Sequence, residues 1–379
     1  MKKDKSSHQF SQGWRPTGLP KPWLDEHDAC AIVAAVRKTG EPTHGNLKRT
    51  MDALSKMGHR SGSVNGEGDG VGVLTDIPRK LWGQILAAAG KPAWLAEDKR
   101  FFVGHLMIPQ ELFPRQEEVQ KEIARLARKA GASLLVSREG LTRGSALGKM
   151  AYAQAPYFWQ IAGLVENCPL EEVEGRLFDL ALAIERANGV HAASLSSHVV
   201  VYKVRGAIET LHRYYPDLHS PDYLTAITLG HARYSTNTTT AFERVQPFSL
   251  LGHNGEINTI ARLREQAQGI GVQLVEDGSD SQDLDRTLAT LIHHYGFSLP
   301  EAMEVVLPPV QSEIDRLPFG EDMPAPLQSV YRHYRQAFGP YAQGPAALIA
   351  RSADECVFSV DAMGLRPLWF GETDKEYFF

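Results

Sequence analysis

The chain has 379 residues, 43% hydrophobic and 22% charged, a balance that excludes a disordered, collagen-like or coiled-coil protein. Its 40 basic and 45 acidic side chains leave a formal net charge of −5, so no basic field for nucleic acid or acidic lipid is present. At about 150 residues per domain the length fits one large domain or two ordinary ones.

Residues 1–29 are polar, carry Pro16, Pro20 and Pro22 and lack the apolar core of a signal peptide, so they read as a tail. Cys30 to Val36 is a continuous apolar run with the texture of a buried strand. Leu47, Met51, Leu54 and Met57 fall at helical spacing up to Gly58, and a glycine-rich turn from Ser61 to Gly70 feeds a strand from Val71 to Thr75. Further strands are expected at 101–107, 133–136, 198–204, 226–233, 248–251, 346–350 and 356–360. Helices are expected at 116–130, 170–187, 284–295 and 326–338, each stopped by Gly or Asn-Gly, and a Ser298–Glu301 capping box opens one more, running to Val306. Runs of strands followed by runs of helices predict an α+β layered domain rather than a doubly wound sheet. The last residues, Glu376 to Phe379, read as an interrupted strand, as at the front of a longer chain. Three scattered cysteines, Cys30, Cys168 and Cys356, fit no disulfide framework, and no run reaches the roughly 18 apolar residues of a membrane span, so a cytoplasmic protein is expected.

Four polar segments interrupt this framework. Cys30 stands where the tail meets the first buried strand. Alone it reads as a small core residue, but cleavage after Ala29 would join its thiol to a free α-amine of pKa about 7.7 to 8.0, suited to act as a base. The second segment, HARYSTNT (231–238), carries Arg233, a planar fork of donors that suits a carboxylate; a surface arginine in a polar loop is the plainer reading, and His231 reads as a hydrogen-bonded core histidine. The third brings a strand to a stop on Gly252-His253-Asn254-Gly255. There the Asn254 amide and Gly255 N–H could hold an oxyanion, one such donor being worth about 3 to 4 kcal/mol, while Asn-Gly is also a hairpin-turn signal. In the fourth, Asp277, Asp280, Asp283 and Asp285 precede a helix, as N-terminal caps or, for one of them, as the partner of a substrate ammonium.

Taken together, the segments resemble the class II glutamine amidotransferase domain at the front of the glutamate synthase large subunit. HARYSTNT (231–238), QPF (246–248) and LGHNGEINT (251–259) are followed by GSDS (278–281), LPP (307–309), GPAA (344–347) and GLRP (364–367), in family order. The resemblance implies an α+β N-terminal-nucleophile (Ntn) hydrolase fold, a four-layer αββα sandwich of two antiparallel sheets. It implies a propeptide at 1–29 and the amidotransferase domain at 30–379. Cys30 would be the nucleophile forming a γ-glutamyl thioester, with its own α-amine as base. Asn254 and Gly255 would form the oxyanion hole, Arg233 would bind the α-carboxylate of glutamine and Asp280 its α-ammonium. His59, Arg60, Thr236 and Gly278 would border the substrate, and Gly68-Asp69-Gly70 matches a family glycine turn. No cofactor or metal is expected in this chain. FMN and an iron–sulfur cluster are expected in a synthase part elsewhere, where ammonia would meet 2-oxoglutarate; the cysteines here lack a cluster's spacing. The expected partners are L-glutamine and a synthase domain or subunit in an oligomer, with neither nucleic acid nor membrane.

Two residues depart from the family pattern. Ala31 follows the nucleophile and Ser61 follows His59-Arg60, where glycine is usual; both bear on backbone freedom and neither removes a catalytic group. Two other readings keep the same fold: a stand-alone or differently coupled amidotransferase, and a non-catalytic glutamine-sensing domain with Cys30 uncut.

Overall fold

A computed structural model describes residues 30–60, 62–233, 241–316, 326–337 and 341–379. Its strands are β1 (Ala31–Arg37), β2 (Ser63–Val64), β3 (Glu67–Gly68), β4 (Val71–Asp76), β5 (Phe101–Ile108), β6 (Ala132–Glu139), β7 (Tyr157–Val165) and β8 (His191–Ser196). They continue as β9 (Val199–Val204), β10 (Ile227–Ala232), β11 (Leu251–Gly255), β12 (Ala346–Ser352), β13 (Glu355–Val360), β14 (Gly371–Glu372) and β15 (Glu376–Phe378). The helices are α1 (His44–Lys56), α2 (Arg79–Ala88), α3 (Gln116–Lys129), α4 (Lys149–Tyr152), α5 (Val173–Asn188) and α6 (Ile208–Tyr214). After them come α7 (Ile260–Gly269), α8 (Asp280–Tyr295), α9 (Leu299–Val306), α10 (Gln311–Arg316) and α11 (Pro326–Ala337).

The apolar run after Cys30 becomes β1, inside an antiparallel sheet of order β14-β15-β1-β10-β4-β9. The apolar stripe of α1, Leu47, Met51 and Leu54, is buried in the core that this sheet shares. The second sheet layer is divided into a four-stranded sheet, β6-β7-β5-β8, and a three-stranded one, β11-β12-β13. Every residue of β5 is buried because its pleat serves two cores. Phe101, Val103 and Met107 join the core of the six-stranded sheet, while Phe102, Leu106 and Ile108 join the cluster built on α3 and α5. Helices α8 and α9 cover the three-stranded sheet through Leu284, Leu288, Leu299 and Met303. The result is the expected α+β sandwich of antiparallel sheets between helical layers, with one sheet layer split.

Two expectations are corrected. The strand expected at 248–251 runs instead from Leu251 to Gly255, because the Asp285 carboxylate takes the N–H groups of Leu250 (2.8 Å) and Leu251 (3.1 Å). Asn254 and Gly255 therefore continue the strand, paired with Ala347 and Ala346, and do not form a hairpin turn. Helix α8 starts at Asp280 rather than Leu284, since Ser279 and Gln282 close a capping box there. Helices α5 and α8 end as expected, on Gly189 and Gly296 in the left-handed conformation.

Candidate active site

The β1–β10 ladder ends on the pair Ala31–Ala232, so Cys30 and Arg233 stand next to each other at the same end of the sheet. Cys30 is 5% exposed and forms no disulfide. Burial pushes its thiol up to about 11, against the pull of Arg233; Asp69, Arg366 and Asp280 also act on it, so four charged groups lie within electrostatic reach of the sulfur.

Arg233 leaves β10 with φ 137°, a conformation that side chains disfavour. It is held there by its N–H donating to the Gly70 carbonyl at 2.8 Å and by its Nε donating to Asp69 Oδ2 at 3.3 Å. Asp69 is buried, which raises its carboxyl above the usual range; the guanidinium offsets part of that cost. Gly62 packs on this pair: a Cβ there would lie 2.1 Å from Asp69 Oδ2 and 3.2 Å from Arg233 Nε.

Among the described residues strand β11 is an edge strand, with β12 on one side. On its other side the Gln246 amide takes the place of a neighbour. Its Nε2 donates to the His253 carbonyl at 3.0 Å, and its Oε1 accepts from the His253 N–H at 2.7 Å. The His231 ring nitrogens lie 3.0 Å from that same carbonyl oxygen and 3.1 Å from the Arg233 carbonyl oxygen, tying the two segments together. Burial holds His231 down at about 4, in keeping with the core role expected for it. Asn254 is 7% exposed, and its Oδ1 has no hydrogen-bond partner among the described residues.

Asp280 opens α8. Its Oδ2 accepts from the Ile257 N–H at 3.1 Å and its Oδ1 from the Ser281 N–H at 2.7 Å, while Ser281 Oγ lies 2.8 Å from His253 Nδ1. Two other carboxylates of that segment are engaged elsewhere, Asp283 in an ion pair with Arg264 and Asp285 in fixing the approach to β11. None is the helix cap, which is Ser279.

Cys30, Arg233 and Asp280 are thus brought together, and the chain reaches Asn254-Gly255 through the same hydrogen-bonded network. Gly278 lines an open groove of about 1100 Å³ with Asp280. Arg60 is exposed in the turn Gly58–Arg60. The His59 side chain, Ser61 and Thr236 lie outside the described residues. Ala31 is buried in the ladder opposite Ala232. Asp69, Gln246 and Arg366 lie within motifs of the sequence, but only the fold gives those side chains a place in the site. Among the described residues no group of three or more His, Cys, Asp or Glu could hold a metal ion, and no helix is long and apolar enough to cross a membrane.

Residues 30–379 match the family model described as glutamine amidotransferases class-II. The chain is 31% identical over 388 residues to ferredoxin-dependent glutamate synthase 2 of Synechocystis sp., covering 95% of this chain and 24% of that protein. It is 28% identical over 396 residues to the glutamate synthase [NADPH] large chain of Bacillus subtilis, covering 97% of this chain and 25% of that one. It therefore spans about a quarter of the length of these curated relatives. A solved structure of the glutamine phosphoribosylpyrophosphate amidotransferase of Bacillus subtilis covers 82% of this chain and 41% of its own, at 14% identity and a TM-score of 0.30. With the family model matched from Cys30 to the last residue, the chain belongs to the class II glutamine amidotransferases.

Proposed function

We propose that this chain is the glutaminase part of a glutamate synthase, acting through Cys30 after residues 1–29 are removed. The observation that carries the reading is the convergence of a buried thiol, Arg233 and Asp280 at one end of β1 and β10. Glutamine needs one cation, one anion, a nucleophile and two neutral donors, and this end of the molecule has candidates for all of them.

In this reading Arg233, steadied by Asp69, takes the α-carboxylate and Asp280 takes the α-ammonium. A thiol held at about 11 stays protonated at neutral pH, so it needs a local base. Cleavage after Ala29 supplies one, the α-amine of Cys30 itself. The amine accepts the thiol proton as sulfur bonds to the side-chain carbonyl carbon. Strand alternation directs the backbone groups of residues 251, 253 and 255 to the same edge, and in this reading the Gly255 N–H joins the Asn254 amide as an oxyanion donor. As the tetrahedral species collapses, the carbon–nitrogen bond breaks and the proton passes to the leaving ammonia. Water then cleaves the γ-glutamyl thioester, giving glutamate and the free thiol.

The ammonia would pass to a synthase part that aminates 2-oxoglutarate; FMN and an iron–sulfur cluster belong to that part, and no step above runs through them. Mass spectrometry of the mature protein should show a chain beginning at Cys30, and Cys30→Ser should abolish glutamate release from glutamine. An uncut chain as active as the cut one would rule the mechanism out.

A further inference from the structure

The motif GLRP (364–367) brings Arg366 to the site. It follows Asp361, a residue only 6% exposed. The Asp361 carboxylate accepts from four backbone N–H groups: through Oδ1 from Ala346 (3.2 Å), Leu365 (2.9 Å) and Arg366 (3.1 Å), and through Oδ2 from Met363 (3.1 Å) and again Leu365 (3.0 Å). Its own N–H donates to the Ala346 carbonyl at 2.8 Å. Ala346 is the residue paired with Gly255 in the β11–β12 ladder. One side chain thus fastens the turn at 361–366 to the strand position facing the Gly255 backbone.

Arg366, which leaves that turn, is half-buried, forms no ion pair among the described residues, and lies within electrostatic reach of both Cys30 and His253. The Asp361 charge is occupied by backbone donors rather than by this guanidinium. The charged groups facing the thiol are Arg233, Asp69, Arg366 and Asp280. Arg233 and Asp69 pair with each other. On the glutaminase reading, on which this inference rests, the substrate ammonium occupies Asp280. Arg366 is then the cation left to act on the sulfur.

We propose that Asp361 is a positioning residue that holds Arg366 as the second cation of the site, where it stabilises negative charge developing at the Cys30 sulfur. The test uses the full chain processed at Cys30, in the forms Arg366→Gln, Arg366→Lys, Asp361→Asn and the Gln/Asn double variant. Three quantities are followed against pH: kcat and KM for glutamine, and the rate at which iodoacetamide labels Cys30, read by peptide mass spectrometry. Arg366→Gln and Asp361→Asn should each lower kcat by about 10- to 100-fold with KM within about threefold, and both should move the labelling profile to higher pH. Arg366→Lys should retain most of the activity, and the double variant should be no worse than the worse single one. A purely structural role would lower the melting temperature without moving the labelling profile. Unchanged kcat and an unchanged profile in Arg366→Gln would overturn the proposal, and that variant alone decides it should Asp361→Asn not fold. Failure of the unaltered protein to hydrolyse glutamine would instead overturn the glutaminase reading.

Discussion

A β-carbon on Gly255 would lie 1.8 Å from the carbonyl oxygen of Pro345, closer than any non-bonded contact permits. Gly255 also has φ 137°, so both space and backbone conformation demand glycine. Gly255→Ala should destabilise the fold by about 2 to 4 kcal/mol and abolish glutaminase activity. Asn254→Ala makes the informative contrast. It should leave the denaturation midpoint nearly unchanged and lower kcat by about 10²- to 10³-fold with little change in KM. Denaturant titration with steady-state kinetics checks both, and an Asn254→Ala protein of normal kcat would remove that amide from the oxyanion role.

Gly62→Ala should act on substrate binding. Its methyl would enter the space of Asp69 Oδ2 and push the carboxylate off Arg233. The expected outcome is a rise in KM for glutamine of about tenfold with a smaller loss of kcat. Equal falls in kcat and kcat/KM with an unchanged KM would place Arg233 away from the substrate carboxylate.

The thiol provides a pH test. In a chain blocked from cleavage before Cys30, a thiol held at about 11 should be alkylated slowly at neutral pH, with a rate that climbs through the alkaline range. After cleavage the α-amine, with an ordinary pKa near 8, should bring the midpoint of labelling down by more than about one pH unit. Identical profiles for cut and uncut chains would show that the amine does not act on the sulfur.

Acid stability should depend on Glu185. Burial alone would raise its carboxyl, but the hydrogen bond from His191 and the charge of Arg286, 2.7 Å away, outweigh burial and hold it at about 2. A carboxyl depressed in the folded state contributes stability above its unfolded pKa of about 4.3 and loses it as pH falls through the folded value. Glu185→Gln should therefore cost about 2 to 3 kcal/mol at neutral pH, a difference that shrinks towards zero near pH 2. Urea denaturation at several pH values checks this, and a difference that stays constant with pH would contradict the ion-pair account.

Local pattern was enough for β1, an unbroken apolar run, for α1, whose apolar residues recur at helical spacing, and for α5, closed by Asn188-Gly189. It was not enough for β7 or β8. Gln160 breaks the apolar run of β7, yet it is buried because its amide lies 3.0 Å from His105 Nε2, on β5. In β8 the buried Ser194 and Ser196 are satisfied by the Val201 N–H and by Glu174. Both strands depend on polar partners that lie outside their own segments, so their short windows look like loops. The site divides the same way. Cys30, Arg233, Asn254 and Asp280 are legible because motif order marks them. Asp69 acquires a role only when folding brings Arg233 beside it, and Asp361 only when the end of β13 reaches Ala346.

The clasp of Gln246 on His253 changes what the edge of β11 can be. An uncovered edge usually invites another chain to add a strand. Here one glutamine side chain closes the edge for a single residue, and Asp285 closes it at Leu251. Two side chains thus cap the outward-facing backbone of β11 at Leu251 and His253, so a neighbouring chain finds no continuous row of donors and acceptors to pair with.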